Sequence, residues 1–175
     1  ILNALSENGY ADLAYKVAAQ QTFPSWGWWM VNGATTLYEN WPLDAGSDIS
    51  MNHIMFGEVC AWFYKGLGGI FPDESQPGFK NVILRPNFVD GLNEFEAKHQ
   101  SEYGPIKSSW KRLGKKIIYE VSVPGNSTAS LYIDADKIKE NGKDPVANSR
   151  IKEVDQSGRT RCFSLKAGQY KFVID

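Results

Sequence analysis

The chain has 175 residues, of which 42% are hydrophobic, and this content is enough to bury a real core. Nineteen Lys and Arg against twenty Asp and Glu leave a net charge of −1, with no basic block of the kind that contacts phosphates. Composition therefore indicates a globular protein and argues against nucleic acid as a partner. No stretch reaches the roughly 18 apolar residues that span a bilayer, so no membrane partner is expected either.

The first residues, ILNALSENGYADLAYKVA, lack a starting Met and already have the spacing of a helix. We therefore expect the sequence to be a piece of a longer protein. The basic and then apolar layout of a signal peptide is not present here, and the compartment stays open. Cys60 and Cys162 lie far apart in apolar surroundings, which favours buried thiols over a disulfide.

Apolar residues recur every three or four positions through the first 70 residues, which predicts helices. In the first of them, Leu13 and Val17 share a face. A second helix is predicted over residues 28–40. It must stop there because Trp41 precedes Pro42, and a residue before proline is pushed out of the α region.

A third helix is predicted to begin near Asp48 or Ser50, since either side chain can cap free backbone amides. It would continue to the pair of glycines at 68–69, which is a common helix end. Its predicted apolar stripe consists of Met55, Val59, Trp62 and Phe63.

After residue 78 the apolar period changes from a helical one to two, as in the strands of an antiparallel sandwich. The alternating runs are VILRP, NEFEAKHQSE, IKSSWKRLG, KKIIYEVSVP, TASLYID, RIKEVDQ and QYKFVID. Residues 136–149 are polar and predict a loop or an excursion from the sheet. The fold class expected is α+β in two parts, with helices over 1–75 and an antiparallel β-sandwich over 76–175.

Glu39 is the most informative charged residue of the helical part. At the end of the predicted second helix it faces the negative end of the helix dipole, which costs an exposed carboxylate about 0.3–1 kcal/mol. His53 falls in the first turn of the predicted third helix. A connecting loop can bring these two helix ends to the same rim of a helical array, which is a plausible site geometry.

Aromatic residues surround this carboxylate in the sequence. Four Trp, at positions 26, 28, 29 and 41, fall within sixteen residues. The apolar faces of a sugar ring stack on such side chains, and cleavage of a glycosidic bond needs two carboxylates, one of them an acid. Simpler interpretations stay open: Glu39 as a solvated helix-end carboxylate, His53 as a polar turn residue, and the Trp cluster as core. A zinc site is disfavoured, because the two His lie in different halves without CxxC nearby.

Three segments in the same order then carry a resemblance to a known family. PSWGWWMVNGATTLYENW, SMNHIMFGEVCAWFYKGLGGI and PGFKNVILRP are similar to the C-terminal part of bacterial α-L-rhamnosidases of glycoside hydrolase family 78. The later YGPIKSSWKR and IIYEVSVPGNSTASLYI resemble the β-sandwich that ends those enzymes. The resemblance runs from about Gly9 to Asp175.

The resemblance implies a catalytic (α/α)6 barrel and hydrolysis with inversion, in which one glutamic acid acts as acid and another as base. Glu39 matches the glutamate of the GATTxxExW motif and inherits the role of general base. His53 matches the histidine of SxNHxxFG and inherits a contact with the sugar. Trp26 and Trp41 are carried over as pocket walls. No cofactor or metal is implied, and the partner expected is a rhamnose-containing glycoside or polysaccharide.

One part of the family pattern has no match in this chain. The general acid belongs to an aspartate–arginine–glutamate motif on an earlier part of the barrel, and a barrel of this kind needs twelve helices. We therefore expect a C-terminal fragment, inactive alone, that pairs with the missing N-terminal part of the same polypeptide. Two alternatives remain: a non-catalytic carbohydrate-binding or structural sandwich module, and another six-hairpin glycosidase.

Overall fold

The computed structural model describes residues 1–44 and 49–175. The chain divides into two compact units, a helical unit, Ile1–Gly66, and a two-sheet unit, Leu67–Asp175. None of the helices in the described ranges is both long and apolar enough to cross a membrane.

The helical unit consists of short helices joined by turns and extended segments. Their bounds are α1 Leu2–Glu7, α2 Ala11–Ala19, α3 Trp26–Val31 and α4 Glu58–Trp62, the last continuing into a π-helix, Phe63–Leu67. Its core is small: Ala14, Trp29 and Trp62 are almost fully buried. The indole Nε1 of Trp62 donates to the Ser6 hydroxyl at 2.9 Å, so this buried ring has its polar atom satisfied.

The second helix is shorter than predicted, because α3 ends at Val31 and not near Asn40. Its end is made by Asn32, which caps the helix, and by Gly33, whose φ of +86° is left-handed. The amide of Ala34 returns to the carbonyl of Trp29 at 2.9 Å, as is common where glycine follows a helix. Glu39 therefore lies beyond the helix.

The third helix is also shorter than predicted. The chain is irregular at Ser50, bends at residues 51–52 and turns at 55–57, so that α4 begins only at Glu58; Asp48, the other proposed start, lies outside the described residues. Of the predicted apolar stripe, Val59 and Trp62 are buried. Its other members, Met55 and Phe63, are exposed.

The two-sheet unit contains ten strands. They are β1 Ile70–Pro72, β2 Asn81–Leu84, β3 Glu94–Ser101, β4 Gly104–Leu113, β5 Lys116–Val123, β6 Thr128–Asp134, β7 Ile138–Glu140, β8 Ile151–Ser157, β9 Thr160–Leu165 and β10 Gly168–Ile174. One sheet has the order β1-β2-β6-β9-β8 and the other β3-β4-β5-β10-β7. All strand pairs are antiparallel except β2 and β6, which run parallel.

The alternating runs of the sequence correspond to strands, and the strands that were not predicted have weak patterns. β9 buries Cys162 and Phe163 in succession, which breaks the period of two. β1 and β7 have only three residues each. β7 lies inside the polar segment 136–149, so the interpretation of that segment as a loop or excursion from the sheet was incomplete.

The core of this unit comes from the inward-facing residues of both sheets. Leu131 and Phe163 of one sheet, and Tyr119 and Phe172 of the other, are fully buried. The Tyr119 hydroxyl lies 3.0 Å from the Ser108 hydroxyl, which donates to the Gly68 carbonyl at 2.6 Å. Burial raises the pKa of Tyr119, so this phenol stays neutral and serves as a hydrogen-bonding group.

The two cysteines differ in their surroundings. Cys162 is buried in β9, whereas Cys60 is exposed on α4, and both are free thiols. The expectation of a buried thiol is therefore correct for Cys162 and wrong for Cys60, because α4 turns this position to the surface instead of covering it.

Candidate functional site

Glu39 and His53 lie on two extended segments that run side by side in opposite directions. The Glu39 amide donates to the Ser50 carbonyl at 2.9 Å, and the His53 amide donates to the Leu37 carbonyl at 2.8 Å. These backbone bonds pair the segment that carries Glu39 with the segment that carries His53, although neither segment is a β-strand. The prediction that they share one part of the structure therefore has a geometric basis, although neither stands in a helix.

The carboxylate of Glu39 is held by the residue opposite it. The Ser50 amide donates to Glu39 Oε2 at 2.9 Å. In a regular antiparallel pair the two residues exchange both backbone N–H···O bonds. Here the second bond goes to the side chain of Glu39, so the half-buried carboxylate is tied to the backbone across the pair.

Two hydroxyl groups fix the segment that supplies this amide. The Ser50 hydroxyl accepts from the Asn52 amide at 3.2 Å and donates to the Asn52 carbonyl at 3.1 Å, which is a serine turn. The Thr36 hydroxyl donates to the Met51 carbonyl at 2.5 Å. Sequence reasoning missed Thr36 and assigned Ser50 to a helix cap; a serine two residues before Asn52 is the signal that could have indicated the turn.

The predicted position of Glu39 and His53 at helix ends is wrong. Glu39 does not end a helix, and His53 does not begin one, since both lie between Val31, the last residue of α3, and Glu58, the first of α4. The environment of Glu39 is set by the amide of Ser50 and not by unpaired helix carbonyls. Local hydrogen bonding replaces the electrostatic cause that the sequence suggested.

The aromatic residues near Glu39 in the sequence form one cluster of tilted and edge-on rings. The ring centroid of Trp41 lies 4.6 Å from that of Trp29 and 4.3 Å from that of Phe56, and those two rings also contact each other at 5.5 Å. Trp26 packs edge-on against Trp41 at 5.5 Å. The indole of Trp29 donates to the Trp41 carbonyl and that of Trp26 to the Phe56 carbonyl. Trp29 is thus core, whereas Trp26 and Trp41 are partly exposed.

Trp26 and Trp41 line an apolar cleft of about 280 Å³ in the helical unit. Other lining residues include Val17, Met55 and Phe56, and neither Glu39 nor His53 contributes to it. The predicted site residues of the helical unit therefore form two groups. Glu39 and His53 lie on paired segments, and Trp26 and Trp41 line the cleft. The described residues include no cluster of three or more His, Cys, Asp or Glu that could hold a metal ion.

Two family models match the chain in succession. Residues 1–67 match the bacterial alpha-L-rhamnosidase 6 hairpin glycosidase domain, and residues 69–157 match the bacterial alpha-L-rhamnosidase C-terminal domain. The second match alone covers more than half of the chain. The junction between the two matches falls next to the division between the two compact units.

Individual relatives agree with this assignment. An alpha-L-rhamnosidase of Streptomyces avermitilis is 30% identical over 99% of this chain, and one of Alteromonas sp. is 31% identical over the same share. The chain spans only 17% and 18% of their lengths.

Solved structures give the same result. The Streptomyces avermitilis enzyme complexed with L-rhamnose superimposes with a TM-score of 0.86 at 27% identity, over 99% of this chain and 17% of that one. The enzyme from Dictyoglumus thermophilum gives 0.87 at 29% identity, over 100% of this chain and 20% of that one. In sequence and in fold, the chain belongs to the bacterial α-L-rhamnosidase family.

Proposed function

We propose that this chain supplies the general base of an inverting glycoside hydrolase that releases terminal α-L-rhamnose from glycosides or polysaccharides. The observation that carries the proposal is the tethered carboxylate of Glu39, bound through Oε2 to the Ser50 amide within the residues that match the six-hairpin domain. Its other oxygen, Oε1, is then the one that faces a reacting water.

Inversion needs a carboxylate on the face of the sugar opposite the leaving group. Glu39 removes a proton from a water as that water attacks the anomeric carbon, while an acid on the other side protonates the glycosidic oxygen. The two carboxyl groups must stand about 6.5–9.5 Å apart so that the water fits between them. His53 contacts a hydroxyl of the rhamnose, and Trp26 with Trp41 form apolar walls of the pocket.

We assign residues 1–75 to the last helices of an (α/α)6 barrel and residues 76–175 to the β-sandwich that follows it; the compact units of the structure divide at residues 66–67. The relatives that match are more than five times as long as this chain. We infer that the general acid comes from the preceding part of the same polypeptide, so that the chain by itself does not turn over substrate. The relatives favour neither a non-catalytic sandwich module nor a different six-hairpin glycosidase.

The test is Glu39→Gln in the complete polypeptide, assayed on an aryl α-L-rhamnoside. A positioned acid or base contributes about 10²- to 10⁴-fold, so kcat is expected to fall by at least about 100-fold while folding is kept, because Gln is isosteric. Glu7→Gln is the matched control, since Glu7 is an exposed carboxylate of α1. If the Glu39 variant keeps more than a few per cent of the activity, Glu39 is not the general base.

His53→Ala has a different expected effect. If His53 contacts a sugar hydroxyl in the ground state and in the transition state alike, its loss raises KM with little change in kcat. An unchanged KM would remove His53 from the site. Comparison of aryl rhamnosides with aryl glucosides in the same assay identifies the sugar.

A further inference from the structure

The segment that faces Glu39 is bound at more points than a simple turn requires. Ser50 donates its amide to the carboxylate of Glu39, and the Ser50 carbonyl accepts the Glu39 amide, both at 2.9 Å. Ser50 thus binds both the backbone amide and the side-chain carboxylate of Glu39. Any shift of Ser50 along the segment moves the carboxylate oxygen with it.

Thr36 fixes the same segment one residue further on. Its hydroxyl donates to the Met51 carbonyl at 2.5 Å, although Thr36 itself is exposed. The hydroxyl of Ser50 closes a local turn onto both backbone groups of Asn52. Removal of either hydroxyl leaves the backbone bonds between the two segments in place but takes away one of the side-chain bonds that fix the position of the Ser50 amide opposite Glu39.

We propose that Thr36 and Ser50 are positioning residues, which act through the Ser50 amide to hold the Glu39 carboxylate in one rotamer that leaves Oε1 without a hydrogen bond to the residues that the structure describes. This inference rests on the proposed function for its catalytic consequence but not for its geometry. A base displaced by 1 Å from its water loses about 100-fold in rate. The hydroxyls are therefore expected to act on kcat through the position of Glu39, since their bonds go to backbone atoms of Met51 and Asn52 and not to the carboxylate.

The geometric part is tested on this chain by amide hydrogen exchange measured by NMR. Thr36→Val keeps the shape of the side chain and removes the hydroxyl, whereas Thr36→Ser keeps the hydroxyl. We expect the Ser50 amide to exchange at least about tenfold faster in the Val variant, as for local loosening without global unfolding. Thr22→Val is the matched control, an exposed threonine whose hydroxyl has no hydrogen bond in the described part of the chain.

The kinetic part uses the complete polypeptide and the same aryl α-L-rhamnoside. Thr36→Val and Ser50→Ala should each lower kcat by about tenfold or more with KM changed less than about twofold, the pattern of an interaction needed in the transition state. Thr36→Ser and Ser50→Thr should restore kcat to within about threefold of the parent, because a hydroxyl returns to the same place. A merely structural role would not give this division between kcat and KM, nor this rescue.

The outcomes separate the two proposals. If Glu39→Gln is inactive while Thr36→Val and Ser50→Ala keep full kcat, the positioning role is overturned and the general base stands. If Glu39→Gln stays active, the general base is overturned, and the exchange of the Ser50 amide still decides whether the segment is held. Unchanged Ser50 exchange in Thr36→Val would overturn the positioning role by itself.

Discussion

The two units of this chain use their apolar residues in opposite ways. In the two-sheet unit alternate residues are buried along β5, β6 and β10 and in the middle of β4, and Leu131, Phe163 and Phe172 have no exposed surface. In the helical unit large apolar side chains remain outside: Leu13 is 47% exposed and Ile54 is 87% exposed. The two-sheet unit encloses its own core, whereas the helical unit leaves large apolar side chains on its surface.

This difference bears on the stability of each unit and on the surroundings of the candidate site. A unit with ten paired strands satisfies its backbone and buries its core by itself. The helical unit has short helices, and helices of this length depend on tertiary packing for most of their stability. The candidate site lies in the unit with the weaker internal packing, whose extended segments are held by individual hydrogen bonds such as that of Thr36.

The strongest test of this contrast is one substitution made in each unit. Leu131→Ala opens a cavity in the two-sheet core and should lower the free energy of unfolding by about 2–5 kcal/mol. Leu13→Ala removes an exposed side chain and should change it by less than about 0.5 kcal/mol. Urea denaturation followed by fluorescence and by circular dichroism measures both. Equal losses for the two variants would contradict the contrast.

Two glycines with left-handed backbone give a second matched pair. A Cβ on Gly69, at φ +66°, would lie 2.2 Å from the Arg85 carbonyl carbon, whereas a Cβ on Gly33, at φ +86°, meets no atom of the described residues within 4 Å. Gly33→Ala should therefore cost only the backbone strain, about 1–2 kcal/mol. Gly69→Ala should add an overpacking cost of about 1–3 kcal/mol.

Thermal unfolding of the two glycine variants and the parent checks this order. A Gly69 variant as stable as the Gly33 variant would mean that the two-sheet unit yields easily at the turn where β1 begins. That result would weaken the comparison between a closely packed unit and an open one.

The smallest expected effect concerns acid. Arg161 holds Glu153 through two bonds, from Nε at 2.7 Å and from Nη2 at 2.8 Å. This side-chain hydrogen bonding lowers the pKa of Glu153, against a smaller opposing effect of burial. Because the folded-state pKa is the lower one, the stabilisation is present above the unfolded-state value of about 4.3 and is lost as pH falls through the folded-state value.

Glu153→Gln should therefore flatten the loss of stability as pH falls from neutral through about 4.3 and below, by at most about 1 kcal/mol for this partly exposed pair. Denaturation midpoints of both proteins over that range measure it. Identical pH profiles would show that the ion pair between Arg161 and Glu153 does not contribute to the pH dependence of stability. The pair would then contribute no more than an exposed surface ion pair.

The sequence predicted the two-sheet unit more accurately than the helical one for a physical reason. A period of two over eight or ten residues, as in β3 and β4, leaves few alternatives once one face must be buried. β7 and β9 were not predicted. β7 has only three residues, and β9 buries two adjacent residues, which hides the alternating pattern. The parallel pairing of β2 with β6 has no signature in either strand.

Helix ends were the main error in the other unit. Asn32 and Gly33 form a stop signal that is visible in the sequence, yet the apolar spacing through Leu37 and Tyr38 continued past it and favoured a longer helix. Tyr38 is buried, so its apolar character reports burial on an extended segment. Over so few residues, the spacing of apolar side chains does not distinguish the buried face of a helix from a buried position on an extended segment.

The motif residues Glu39 and His53, and the family to which they point, follow from the amino-acid sequence alone, because their identity and order in the chain are properties of the sequence. How Glu39 is held was decided by the tertiary structure. The amide that binds its carboxylate belongs to Ser50, eleven positions away, and the hydroxyl that steadies that segment belongs to Thr36. Such bonds depend on where two segments meet in space, and no local pattern in either segment encodes that meeting.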